Sequence, residues 1–169
     1  MSVRKVVILQ GTSGSGKSTW VRKHNYGNLI RVVSTDNYLV DADGVYRFTP
    51  ERQSDGHKRC LRDFTATLIM HSDWGRTGPI DIIVDNTNTR PLFMAPYVAL
   101  ALAYGAPVEV LSFRAPIEIC AARNNGRAPL NVVKEMAEAI DFFKLPAQWE
   151  RDGVSYTIVD TSGVTHADQ

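Results

Sequence analysis

Gly11-Thr12-Ser13-Gly14-Ser15-Gly16-Lys17-Ser18 sets glycines, a lysine and a hydroxyl at the spacing G-x-x-x-x-G-K-[ST]. Small residues in such a run let successive backbone N–H groups turn inward on an anion. Lys17 then brings a cation to the β/γ bridge of a bound triphosphate, and Ser18 offers a hydroxyl to Mg²⁺. A helix beginning at Lys17 adds the positive end of its dipole. The stretch from Gly11 to Thr19, including Thr12, Ser13, Ser15 and Thr19, is therefore expected to hold ATP or another nucleoside triphosphate with its Mg²⁺.

Two carboxylates stand where such a ligand needs them. Ser34-Thr35-Asp36 follows the apolar run Leu29–Val33, and Asp85 follows Ile80–Val84. In a parallel sheet the carboxyl ends of the strands face the ligand. Asp36 could take the proton of an attacking alcohol, or only cap the next turn. Asp85 could hold Mg²⁺ through water or hydrogen-bond Ser18. Asn86, Thr87 and Asn88 add neutral donors, or cap the helix that Arg90-Pro91 opens.

Arg123-Asn124-Asn125-Gly126-Arg127 lies between two helical stretches around a glycine. An arginine closing over a transferring phosphoryl group lowers the barrier, and either Arg123 or Arg127 could do so; the plain alternative is a helix-to-helix turn. His57, Lys58, Arg59 and Arg62 share a helix and either bind acceptor phosphates or form a solvated face. There is no guanine-reading N-K-x-D, and Asn86 stands where a hydrolytic enzyme would place a glutamate to orient water. Both absences favour transfer to an acceptor over hydrolysis. Asp41-Ala42-Asp43-Gly44 lacks the later ligands of a calcium loop and reads as a turn.

The elements that must position these residues alternate in type. Val6–Leu9, Leu29–Val33, Ile80–Val84, Val108–Phe113 and Tyr156–Val159 are short apolar strands, the third introduced by Gly78-Pro79. Helical spacing covers Lys17 to Lys23, His57 to His71, Pro91 to Gly105, Pro116 to Asn124 and Pro129 to Phe143, with a loose tail from Thr161. This predicts one α/β domain over 1–169, a parallel sheet with helices on both faces.

The 169 residues suit one domain, and 44% hydrophobic residues suffice for its core. Net charge is +1, but residues 1–62 hold eleven bases against five acids, while 130–169 hold three against seven. That asymmetry fits an anionic ligand on the N-terminal half, and a modest footprint if the acceptor is a nucleic acid. Cys60 and Cys120 form no metal or redox spacing, and no run approaches the roughly 20 apolar residues of a membrane span. With no signal peptide expected, a reducing, cytoplasmic setting of a cell or an infected host is expected.

Gly14-Ser15-Gly16-Lys17-Ser18-Thr19-Trp20, Ser34-Thr35-Asp36-Asn37-Tyr38, Asp85-Asn86-Thr87-Asn88 and the Arg123–Arg127 segment resemble, in their order, the polynucleotide 5′-hydroxyl kinases. Tyr97 to Arg127 resembles the kinase domain of the bifunctional polynucleotide kinase/3′-phosphatases. The resemblance runs from about Lys5 to Val159. It implies the P-loop kinase sandwich with strand order 2-3-1-4-5 and a short lid, ATP as donor, and Mg²⁺. It implies Asp36 as general base, Lys17 and Ser18 on phosphates and metal, Asp85 beside them, and Arg127 or Arg123 as lid arginine. Asp36, Tyr38, His57, Arg59, Asn86 and Asn88 would face the acceptor. The phage-type enzymes carry an arginine three residues after the base, where this chain has Leu39. Relatives of that family also phosphorylate hydroxymethyl groups on modified bases in phage DNA and small alcohols, which stand as alternative acceptors beside a polynucleotide 5′-hydroxyl.

Overall fold

The chain folds as β1 (Val3–Gln10), α1 (Lys17–His24), β2 (Ile30–Val33), a 3-10 turn (Thr35–Tyr38), α2 (Pro50–Ser72), β3 (Ile80–Asp85), α3 (Pro91–Ala103), β4 (Val108–Arg114), α4 (Ile117–Arg123), α5 (Leu130–Asp141), α6 (Ala147–Arg151) and β5 (Ser155–Asp160). The computed structural model describes residues 3–24, 29–72 and 79–163. Gly78 and the end of the expected loose tail, 164–169, lie outside the described residues. The five strands are all parallel, in the order β2-β3-β1-β4-β5, as expected.

Continuous Val/Ile/Leu runs form these strands because both faces of a parallel sheet are covered. Successive side chains alternate between faces. Val6, Ile8, Ile82, Val84, Val108 and Val110 pack under α2 and α3 against Phe64, Leu68, Met94 and Val98. Val7, Leu9, Ile83, Leu111 and Phe113 face the other way, against Trp20 and Val21 of α1. Asp81, buried in β3, accepts Nε and Nη2 of Arg4 at 2.7 Å each, which compensates a carboxylate that would otherwise be costly to bury.

Several boundaries differ from the sequence expectation. Helix α2 starts at Pro50 rather than His57. Thr49 precedes it, its Oγ1 accepting the N–H of Arg52 at 3.2 Å, with proline at the first helical position where no N–H is missed. The short α6 has no counterpart in the expected elements. Thr161 is not a loose residue but a buried one.

Register fixes where the site lies. Leu9 pairs with Asp85, Val33 with Val84, and Gln10 with Ser112. The carboxyl ends of β1, β2 and β3 therefore finish together, and Gly11, Asp36 and Asp85 leave the sheet at one edge.

Phe64 is fully buried with its ring edge-on to Tyr97, 5.1 Å between centroids, whereas Phe142 is 83% exposed. Phe64→Ala is expected to lower stability by about 3–5 kcal/mol, and Phe142→Ala to change it by no more than about 0.5 kcal/mol. Urea unfolding of both variants measures this, and equal losses would contradict the core assignment.

Candidate active site

Between β1 and α1 the chain wraps a polar pocket of about 190 Å³, lined by Ser13–Thr19, Arg22, Arg123, Asn124, Asn125 and Arg127. Gly14 makes the tight course of this loop possible. It sits at φ +79, and a Cβ there would come within 2.1 Å of the Cys120 carbonyl oxygen on α4. Only glycine allows the loop to lie this close to that helix.

Lys17 is buried at the first position of α1, and its Nζ donates to the carbonyls of Gly11 (2.9 Å) and Thr12 (2.8 Å). Burial pushes its pKa below the usual lysine value; the charges of Asp85 and Asp36 oppose that shift. Thr12 is buried, and its Oγ1 has no partner among the described residues. A buried ammonium held only by neutral acceptors, an unpartnered hydroxyl and an inward-curving glycine loop fit a bound phosphate chain.

Asp85 lies mostly buried beside this loop, near Lys17 and Ser18. Burial raises its pKa, the nearby Lys17 charge counteracts, and the Asp36 carboxylate adds to the rise. Asp36, on the exposed side of the 3-10 turn, thus acts electrostatically on both Lys17 and Asp85. The structure brings Lys17, Ser18, Asp85 and Asp36 to one crevice. Among the described residues no three His, Cys, Asp or Glu side chains cluster as a cation cage. Ser18 and Asp85 are nonetheless a suitable pair for Mg²⁺, which takes one or two carboxylates together with substrate phosphates and water.

The 3-10 turn that carries Asp36 is tied down from below. Ser34 Oγ donates to the Asp85 carbonyl at 2.8 Å, and the Thr35 N–H donates to Asn86 Oδ1 at 2.8 Å. Asn86 Nδ2 and the Tyr97 hydroxyl both donate to Cys60 Sγ. His57 Nδ1 lies 3.1 Å from Thr35 Oγ1, and burial lowers its pKa.

These bonds show what the residues expected at the acceptor surface touch within the protein. Asn86 and Asn88 are buried, and their amides are engaged by the protein itself: Asn88, at φ +47, donates from Nδ2 to the Leu9 carbonyl at 2.8 Å. Tyr38 donates its hydroxyl to Asp63. Arg59 is ion-paired with Asp55 and lies 5.8 Å from the Tyr38 ring. Of the residues expected to face an acceptor, Asp36 remains at the open crevice, while His57 supports it through Thr35.

The segment expected to act as a lid is a tight turn. Asn125 (φ +52) and Gly126 (φ +74) reverse the chain, and Asn124 closes it, donating to the Ala128 carbonyl at 2.6 Å. Asn124 Oδ1 also accepts the Ser13 hydroxyl, which joins the turn to the phosphate loop. Arg127 points back over the crevice, 5.5 Å from the ring of Tyr46. Arg123 Nη1 donates to the Thr161 carbonyl at 3.2 Å.

Two residues at the site were not found from sequence. Thr161 donates from Oγ1 to the Ser15 carbonyl at 2.8 Å and approaches the Arg114 carbonyl at 3.1 Å, clamping β5 to the phosphate loop. Tyr46 reaches the crevice from a hairpin that read only as a polar stretch. Thr161 follows an apolar strand end, a place that carries ligand residues in such sheets; no pattern marks Tyr46.

The family model of the AAA domain, AAA_33, matches residues 6–142. Human NEDD4-binding protein 2 is 33% identical over 97 residues, 57% of this chain, which spans 5% of that protein's length. A chain in the Pnkp1/Rnl/Hen1 RNA repair complex superposes with TM-score 0.65 at 19% identity, covering 84% of this chain and 45% of the other. The Mycobacterium tuberculosis APS kinase CysC, in complex with AMPPNP and APS, superposes with TM-score 0.55 at 15% identity over 95% of this chain and 90% of that one. The fold is that of the P-loop kinases, and the chain belongs to the AAA domain family AAA_33.

Proposed function

We propose that this P-loop kinase transfers the γ-phosphoryl group of ATP to a hydroxyl of a nucleic acid, foremost the 5′-hydroxyl of a strand. The observation that carries the reading is the convergence of Asp36 with Lys17 and Asp85 at the ends of β1, β2 and β3.

In this reading the loop amides cradle the donor phosphates. Asp36 accepts the acceptor's proton as its oxygen attacks the γ-phosphorus, and the bond to the β-phosphate oxygen breaks to release ADP. Lys17 and a lid arginine, Arg127 or Arg123, balance the charge that spreads over the transferring group. Mg²⁺, held by Ser18 and Asp85 directly or through water, would neutralise charge between the β- and γ-phosphates.

Several features support a nucleic-acid acceptor. The segment around the crevice interleaves Tyr46, Arg47, Phe48 and Arg52, and Phe48 is exposed. Aromatic faces beside arginines suit unpaired nucleotides, whose bases stack and whose phosphates pair. The RNA repair complex among the structural neighbours adds to this through its fold. A second reading, a hydroxymethyl group on a modified base of phage DNA or a small alcohol, is favoured by Leu39. That residue, where the phage-type enzymes carry arginine, is turned into the core.

Asp36→Ala is expected to reduce transfer about 10²–10⁴-fold while leaving ATP affinity within about threefold. Radiolabelled ATP offered with 5′-hydroxyl oligonucleotides, hydroxymethylated duplexes and small alcohols reads both the residue and the acceptor. Undiminished transfer by Asp36→Ala would remove the base assignment, and label on small alcohols alone would remove the nucleic-acid reading.

Asp85 gives a prediction on the ligand-free protein. Its folded pKa is raised, so the stability it contributes is fully present below the unfolded value, near 3.9, and is lost as pH rises through the folded value. Asp85→Asn should therefore melt higher than the parent chain at pH 7, with the gap closing toward pH 4, although it weakens transfer. Melting curves between pH 4 and 8 measure this; a variant less stable than the parent at pH 7 would contradict it.

A further inference from the structure

The hairpin between the 3-10 turn and α2 is held by its own bonds. Arg47 N–H donates to the Leu39 carbonyl at 2.7 Å, and Asp41 N–H to the Val45 carbonyl at 3.0 Å. The Asp41 carboxylate accepts the N–H groups of Asp43 and Val45 and pairs with Arg47. Asp41-Ala42-Asp43-Gly44 is thus a turn, as expected, with Gly44 at φ +76.

What this turn delivers is Tyr46, bridged to Val40. Its ring lies 5.5 Å from the Arg127 guanidinium carbon, and Asp36 is close enough to act on the phenol electrostatically. Burial and the Asp36 charge hold the phenol above its usual pKa. The phenol therefore keeps its proton at neutral pH and is able to donate to a carboxylate.

We propose that Tyr46 is a positioning residue for phosphoryl transfer: its hydroxyl orients the Asp36 carboxylate and its ring seats Arg127, so that one hairpin sets both base and lid arginine. The inference rests on the kinase reading above. A donor on one carboxylate oxygen leaves the other aimed at the acceptor, and a π face beneath a guanidinium holds the cation over the phosphate pocket before the nucleotide arrives. The two halves of Tyr46 therefore act on different partners and are separable by substitution.

The test uses the full chain. Tyr46→Phe keeps the ring and loses the O–H; it is expected to lower kcat about tenfold with the KM for a 5′-hydroxyl oligonucleotide unchanged. Tyr46→Ala also loses the arginine seat. It and Arg127→Ala should each weaken binding of a non-hydrolysable ATP analogue about three- to tenfold, and the double variant no further, because the residues act as one unit. This calorimetric arm needs no acceptor, so it reads the proposal even if the oligonucleotide is not phosphorylated, an outcome that would count against the acceptor reading alone. Full kcat in Tyr46→Phe, or multiplied effects of Tyr46→Ala and Arg127→Ala on binding, would overturn the proposal. Melting temperatures of all variants separate these effects from loss of fold: a loss of function that tracks loss of stability would assign Tyr46 a structural role and overturn it too.

Discussion

Lys17 sets the problem that the surrounding structure answers. Its ammonium is carried into a buried place where it donates to loop oxygens, while the charges of Asp85 and Asp36 also act on it. Desolvation disfavours that charge, and loop carbonyls compensate it incompletely. A phosphate anion is the group that relieves this state best, and the loop's inward course together with the free Thr12 hydroxyl gives that anion its other contacts. The site is therefore poised by the burial of a lysine ammonium among neutral oxygens.

Holding that arrangement requires loops that do not relax. The strand ends are nailed to their neighbours by uncharged groups: Asn86 on the Thr35 N–H, Asn88 on the Leu9 carbonyl, Thr161 on the Ser15 carbonyl, Asn124 on Ser13 and Ala128. Such side chains satisfy buried backbone groups without adding net charge beside the anion site. Carboxylates in those places would compete with phosphate for Lys17. The turn bearing Asp36 is fixed from the sheet by Ser34 and Asn86, and from α2 by His57, with Gly56 packed against Thr35.

The other wall of the crevice is built differently. It is a hairpin closed on itself by Asp41, from which Tyr46 reaches Arg127. The hairpin is closed by its own bonds, and loops of this kind can change without disturbing the scaffold that carries them.

The sequence alone determined the donor half and the sheet. The phosphate loop is contiguous, so its glycine, lysine and serine spacing is readable, and strands buried on both faces show as unbroken apolar runs. It also placed Asp36 just after one strand and Asp85 at the end of another, and hence both at the carboxyl ends of the sheet. Long-range packing sets the rest of the crevice. Whether Asn86, Asn88 and Tyr38 offer their polar groups to a ligand or to the protein depends on contacts with Cys60, Leu9 and Asp63, far away in the chain. The partners of Tyr46 are likewise distant in sequence, Arg127 most of all, and no periodicity encodes a meeting made by folding a hairpin over a sheet edge.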